Sequence, residues 1–71
     1  MTKTKTVDAR GLSCPQPVIM AGSAIDEGIF PVEVLVDTVT ARENVRRMSA
    51  SKGLTIVIEE VNDEFKLTLS K

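Results

Sequence analysis

The chain has 71 residues, enough for one small domain that buries only about 60% of the surface its unfolded chain exposes, so a deep substrate cavity is excluded. Its 42% hydrophobic and 27% charged residues exclude a disordered chain, and no apolar run approaches the ~20 residues of a membrane span. The net charge of -1 lacks the basic excess of a nucleic-acid binder, and only Phe30 and Phe65 could stack on bases, so no direct nucleic-acid ligand and no membrane partner are expected.

The N-terminal Met-Thr-Lys-Thr-Lys-Thr has charge but no apolar stretch behind it. It does not read as a signal peptide, and the expected location is cytoplasmic. Lys3 to Asp8 predicts a short first strand, with Thr at alternate positions suited to a pleated surface. Ala9 to Ser13 is a loop in which Gly11 supplies backbone freedom. Pro15 to about Glu27 reads as the first helix. Val18, Ala21, Gly22 and Ile25 share one face at helical spacing, and Gly22 is expected to allow close approach to the sheet. Gly28 stops that helix.

Pro31 precedes a second strand, Val32 to Asp37, with Val32, Val34 and Val36 on one side. Thr40-Ala41-Arg42-Glu43 has the form of a capping box and predicts the start of the second helix. Ala41, Val45 and Met48 form its buried stripe, Glu43 and Arg47 are spaced for an ion pair, and Gly53 ends it. Leu54 to Glu60 is a third strand. Asn62-Asp63 is a turn signal, and Glu64 to Ser70 is a fourth strand with Phe65, Leu67 and Leu69 on one face. The last two strands should form an antiparallel hairpin.

Right-handed helical crossovers return the earlier strands in parallel and place both helices on one side of the sheet. The expected fold is α+β, a two-layer α/β sandwich of order βαβαββ. It has a mixed four-stranded sheet with two helices on one face and forms a single domain over residues 1–71. The other sheet face is left to solvent, as Glu59, Lys66 and Thr68 suggest.

The chain contains one cysteine and no histidine. A lone cysteine closes no internal disulfide and builds no zinc site, so no metal and no cofactor are expected. A Cys-His nucleophilic pair is excluded as well. Cys14 lies in Ser13-Cys14-Pro15-Gln16-Pro17, where two prolines would break a helix interior but cost little in a first turn. Two registers are open. In one Cys14 caps a helix whose first residue is Pro15. In the other Ser13 is the cap and Gln16 completes a Ser-x-x-Gln box.

Both registers put Cys14 at a helix N-terminus. The partial positive charge and free amides there stabilise a thiolate and lower its pKa. Pro15 and Pro17 carry no amide proton, so Gln16 is the best-placed donor to the sulfur and Val18 the next. Arg10 is near enough in sequence to add positive charge. A lone cysteine in a small domain is commonly a buried hydrophobe; the flanking prolines move Cys14 instead to a loop–helix junction, where exposure is the rule.

The run Asp8-x-x-Gly11-Leu12-x-Cys14-Pro15-x-Pro17-Val18 resembles the signature of the TusA/SirA/YedF family of sulfurtransferase-like proteins. Val34-Leu35-Val36-Asp37, Ala41-Arg42-Glu43-Asn44-Val45 and Ser51-Lys52-Gly53 are similar to its YedF-type branch in particular. The resemblance implies the two-layer βαβαββ fold. It also implies that Cys14 is the sulfur-accepting residue, taking a persulfide sulfur from a cysteine desulfurase or rhodanese-type donor and relaying it to an acceptor protein. Relatives serve tRNA thiolation, sulfur oxidation or molybdenum-cofactor maturation, and YedF-type members are linked to selenium. Those members often carry a further domain, so this sequence is either a stand-alone member or the first part of a longer protein.

Many relatives have basic residues a few positions after the Cys-Pro-x-Pro. Here that stretch is Met20-Ala21-Gly22-Ser23. Arg42, Arg46 and Arg47 on the second helix could supply a positive face in its place, and Asp8 and Asp37, near strand ends, could shape the docking surface. The alternatives to a sulfur carrier are a non-catalytic protein-binding or regulatory module that docks through the open sheet face or the second helix, and a carrier that holds selenium on Cys14 in place of sulfur.

Overall fold

The computed structural model describes residues 5–12, 16–28 and 30–71. In chain order they form β1 (Lys5–Asp8), α1 (Gln16–Asp26), β2 (Val32–Val36), α2 (Val39–Ser51), β3 (Thr55–Val61) and β4 (Glu64–Ser70). The expected βαβαββ order is present. The beginning of the predicted first strand, before Lys5, lies outside the described residues.

The strands lie in the order β1-β2-β4-β3. β1 pairs with β2 in parallel, and β4 runs antiparallel to both β2 and β3. β3 is therefore parallel to β2 at one remove, and the closing hairpin folds β4 back into the gap between them. The hairpin turns through Asn62 and Asp63, whose φ angles of 52° and 65° match the twist of the flanking strands as a two-residue turn with both centres left-handed.

Residues paired across the ladder share a face. Val7, Val34, Leu67 and Ile58 form one such row, and Val32, Leu69 and Ile56 another. Val32, Val34, Val36, Leu67 and Leu69 are each 0% exposed, and full burial of one such side chain stabilises by about 1.5–3 kcal/mol. α1 covers β1 and β2, α2 covers β3 and β4, and the helices touch each other. On the opposite face Lys66 lies 3.5 Å from Glu59 and 3.9 Å from Glu33, and no helix covers it.

Five local expectations are corrected. The buried stripe of α1 is Pro17, Ala21 and Ala24, with Val18, Met20 and Ile25 partly buried beside it; the true stripe is centred about one residue away from the predicted one. Gly22 does not mark a close approach, since a Cβ built there meets nothing within 4 Å. α2 begins two residues before the predicted cap. Thr38 is extended (φ -133°, ψ 152°), and its Oγ1 accepts the Ala41 N–H at 3.0 Å. The Thr40…Glu43 spacing has the letters of a capping box, but Thr40 already lies within the helix.

Glu43 pairs not with Arg47 but with Arg46 at 2.9 Å and Arg42 at 3.3 Å. The core stripe of α2 is Ala41, Val45 and Ser49, with Met48 only partly buried. Ser49 is 0% exposed, and its hydroxyl has no hydrogen-bond partner among the described residues.

Two outcomes follow for stability. Gly22→Ala should stabilise the fold by about 0.8–1 kcal/mol, because an unobstructed helical glycine only adds backbone entropy to the unfolded chain. Thr38→Ala should destabilise by about 1 kcal/mol through loss of the cap. Urea midpoints of the two variants, at unchanged m-value, check both.

Candidate functional site

The C-terminal ends of β1 and β2 and the N-terminal ends of α1 and α2 meet at one end of the molecule. The chain leaves β1 through Ala9, which is 1% exposed and donates its N–H to the Leu35 carbonyl at 2.9 Å. It then turns sharply. The Leu12 N–H reaches back to the Ala9 carbonyl at 3.4 Å, and Gly11 at the corner has φ +77°, a conformation that favours glycine.

Two carboxylates from other strands hold this turn. Asp37, the residue after β2, accepts the Gly11 N–H on Oδ2 at 2.9 Å. Arg10 grips Asp8 with a two-pronged contact, Nε to Oδ1 at 2.9 Å and Nη2 to Oδ2 at 2.8 Å. Its Nη1 reaches Glu64 Oε1, at the start of β4, at 3.1 Å. The turn is thus tied to β1, β2 and β4 at once.

The electrostatics follow from these contacts. Hydrogen bonds from the Arg10 side chain, and then from its backbone N–H, lower the Asp8 carboxyl from its ordinary 3.8 to about 2. The same partners, Asp8 first and Glu64 next, raise Arg10 above the usual guanidinium range. With two carboxylates on one guanidinium, Arg10 brings no net positive charge to the site; its role is to clamp the turn.

The next described residue after Leu12 is Gln16, the exposed first residue of α1. Ser13, Cys14 and Pro15 lie outside the described residues. Pro17 is buried, and with Val18 it faces Ala41 and Asn44 where the two helices meet. The segment that carries Cys14 therefore spans from a clamped turn to a seated helix start. Leu12, before this segment, is 38% exposed, and Val39, the first residue of α2, is 56% exposed, so both leave apolar surface open to solvent.

The remaining sequence candidates sit on α2. The Arg42 guanidinium stacks over the Phe65 ring at 4.8 Å and contacts Glu43, while its Nε is buried without a hydrogen-bond partner among the described residues. Arg46 holds Glu43, whose carboxyl is lowered first by that hydrogen bond. The expected positive face is thus partly neutralised by Glu43, and Arg47 is the exposed cation of the three. Sequence reading missed Glu64 as a partner in the site. Fifty-four positions separate it from Arg10, and no local pattern marks it.

With this geometry in place, comparison with known proteins is direct. Residues 5–71 match the family described as Sulfurtransferase TusA, and the chain belongs to that family. It is 33% identical over 70 residues to a protein of Methanocaldococcus jannaschii described, provisionally, as a sulfur carrier protein, covering 94% of this chain and 93% of that one. The crystal structure of a SirA-like protein from Desulfitobacterium hafniense superposes with a TM-score of 0.82 at 34% identity, covering 94% and 95% of the two chains. Among the described residues no helix is long and apolar enough to cross a membrane.

The clamp is open to a pH measurement. Because Asp8 titrates lower when folded, its pairing contributes fully above pH 3.8 and is lost as pH falls from 3.8 toward about 2. Carboxyl NMR titration should place the Asp8 midpoint near 2 in the native chain and return it toward 3.8 in Arg10→Ala.

Proposed function

We propose that this chain is a sulfur carrier that accepts a persulfide sulfur on Cys14 and passes it to an acceptor protein. One observation carries the reading: a member of a sulfurtransferase family, matched over residues 5–71, has a single cysteine in its whole sequence. No other side chain of the protein can hold sulfur as a persulfide.

In the forward step the Cys14 thiolate attacks the terminal sulfur of a donor's persulfide. A Cys14–sulfur bond forms, the donor's sulfur–sulfur bond breaks, and the donor leaves as a thiol after taking a proton. The reverse attack by an acceptor thiolate on the terminal sulfur regenerates Cys14. This exchange depends on thiolate fraction and access. The amides of Gln16 and Val18, at the start of an eleven-residue helix, are suited to favour the anionic sulfur. Pro15 and Pro17 carry no amide proton, which leaves Gln16 and Val18 as the backbone donors of that first turn, and Ser13 stands just before Cys14 in the sequence.

The donor is of cysteine desulfurase or rhodanese type, and the acceptor is a second relay protein. With no other thiol in the chain, a loaded Cys14 cannot be discharged as an internal disulfide and waits for its partner. Exposed Leu12 and Val39 are suited to meet partner surface around the segment, with Asp37 holding its entry turn and Arg42 and Arg46 on the neighbouring helix. Within the cell the reading requires the reducing cytoplasm, where a free thiol persists.

The protein is incubated with a cysteine desulfurase and free cysteine, and its intact mass is recorded. A gain of one sulfur atom, absent in Cys14→Ser and reversed by reductant, is the expected result. No gain, together with slow alkylation of Cys14 near neutral pH, would overturn the carrier reading in favour of a binding module.

A further inference from the structure

β3 is an outer strand of the sheet, seven residues long and paired with β4 without a bulge from Thr55 to Val61. The register determines which of its backbone groups are free. The two-residue turn makes Val61 and Glu64 a hydrogen-bonded pair. Alternation along the ladder then directs the N–H and C=O of Thr55, Val57, Glu59 and Val61 toward β4. Those of Ile56, Ile58 and Glu60 point away from the sheet. The same alternation, carried across β4 to β2, correctly places the Leu35 carbonyl toward β1, where it accepts the Ala9 N–H.

This free edge is also apolar. Val57 is 52%, Ile58 37% and Val61 59% exposed. Proteins usually blunt such an edge with proline, lysine, a bulge or a very short strand. β3 has none of these. Its edge charges are two adjacent carboxylates, Glu59 and Glu60, one on each face of the sheet, which oppose pairing with another acidic edge and leave the backbone groups open to a basic one. Glu59 shares Lys66 with Glu33, and Glu60 makes no ion pair or side-chain hydrogen bond among the described residues. The neighbouring sheet face adds to the negative charge. Among the described residues, Asp8, Glu33, Glu59 and Glu64 pair there with Arg10 and Lys66 alone.

We propose that β3 is a docking edge for an extended, basic segment of a partner protein, which adds to the sheet as a further strand. Its backbone pairs with Ile56, Ile58 and Glu60. Its apolar side chains cover Val57, Ile58 and Val61, and its Lys or Arg side chains meet Glu59 and Glu60. Strand addition of this kind takes affinity from the main chain and specificity from alternate side chains. The carboxylate pair selects for this occupant and against a second copy of the chain, which would bring two further glutamates to the same seam. At the other outer strand, β1, Asp8 is already engaged by Arg10.

This docking does not require the thiol of Cys14, so its test uses the full chain as Cys14→Ser and is blind to sulfur chemistry. Amide hydrogen exchange is followed with two short synthetic peptides in which valines flank an adjacent central pair, Lys-Lys in the Val-Lys peptide and Glu-Glu in the Val-Glu peptide. At a concentration about ten times its Kd, the Val-Lys peptide should slow exchange at Ile58 and Glu60 about tenfold. The Val-Glu peptide should leave both amides unchanged, and raised salt should weaken the effect. Reversing the charges in Glu59→Lys/Glu60→Lys should exchange the preference between the peptides.

The discrimination is read first on the unaltered edge, so it does not depend on how the variant folds. Equal protection by both peptides, protection of Thr6 and Asp8 in place of β3, or no protection up to millimolar peptide would each overturn the proposal. Protection that grows with protein concentration in the absence of peptide would also overturn it, because the occupant would then be a second copy.

Discussion

β4 is last in the chain and central in the sheet, and the rest of the structure depends on that insertion. Its turn at Asn62 and Asp63 is local and closes at little entropic cost, but its other side must find β2, some thirty residues earlier. Leu67 and Leu69 are fully buried as a result, between β2, β3 and the helices. Two properties of the molecule follow from this one placement. Glu64, at the start of β4, comes within reach of Arg10 on the far side of β2. β3, displaced outward, becomes an edge with three unpaired amides.

The site is built with the economy a small domain imposes. A chain of this length cannot enclose a reacting group; its candidate segment joins Leu12 to Gln16, between β1 and α1. What it can do is hold the two flanks of that segment. Asp37 receives the Gly11 N–H, and Arg10 is held by Asp8 and Glu64. On the other flank, Pro17 is buried against α2. These contacts are exposed and individually weak, but they converge on one turn from three strands, which is how a surface loop is given a preferred course without a core beneath it.

Much of this was legible beforehand, for physical reasons that differ by element. The alternation of Val32, Val34 and Val36, and of Phe65, Leu67 and Leu69, is a period-two signal with a single structural solution. The Asn-Asp turn was legible because its backbone angles suit few other residues. The start of α2 was misread, since Thr38 and Thr40 are chemically alike as caps and only the exit direction of β2 selects between them. Gly22 was misread because a glycine in a helix looks the same whether a neighbour crowds it or nothing does. The partner of Glu43 was misplaced by one residue, a choice made by rotamers and not by spacing. Of the candidate site, Cys14 and its flanking prolines stand out in the sequence, and all but Pro17 of that group lie outside the described residues. The clamp on Arg10 could not be picked out, because Glu64 approaches it only through the folded sheet.

Local chemistry by itself determined which segments are strands and which are helices, which side of each strand is apolar, and that a single thiol precedes the first helix in the sequence. Those properties depend on neighbours within a few residues, where steric and hydrogen-bonding preferences act directly. The tertiary structure alone decided the strand order, the pairing of Arg10 with Glu64, and the exposure of β3. Each of these depends on which distant surfaces meet when the apolar faces close together, and burial is indifferent to sequence separation.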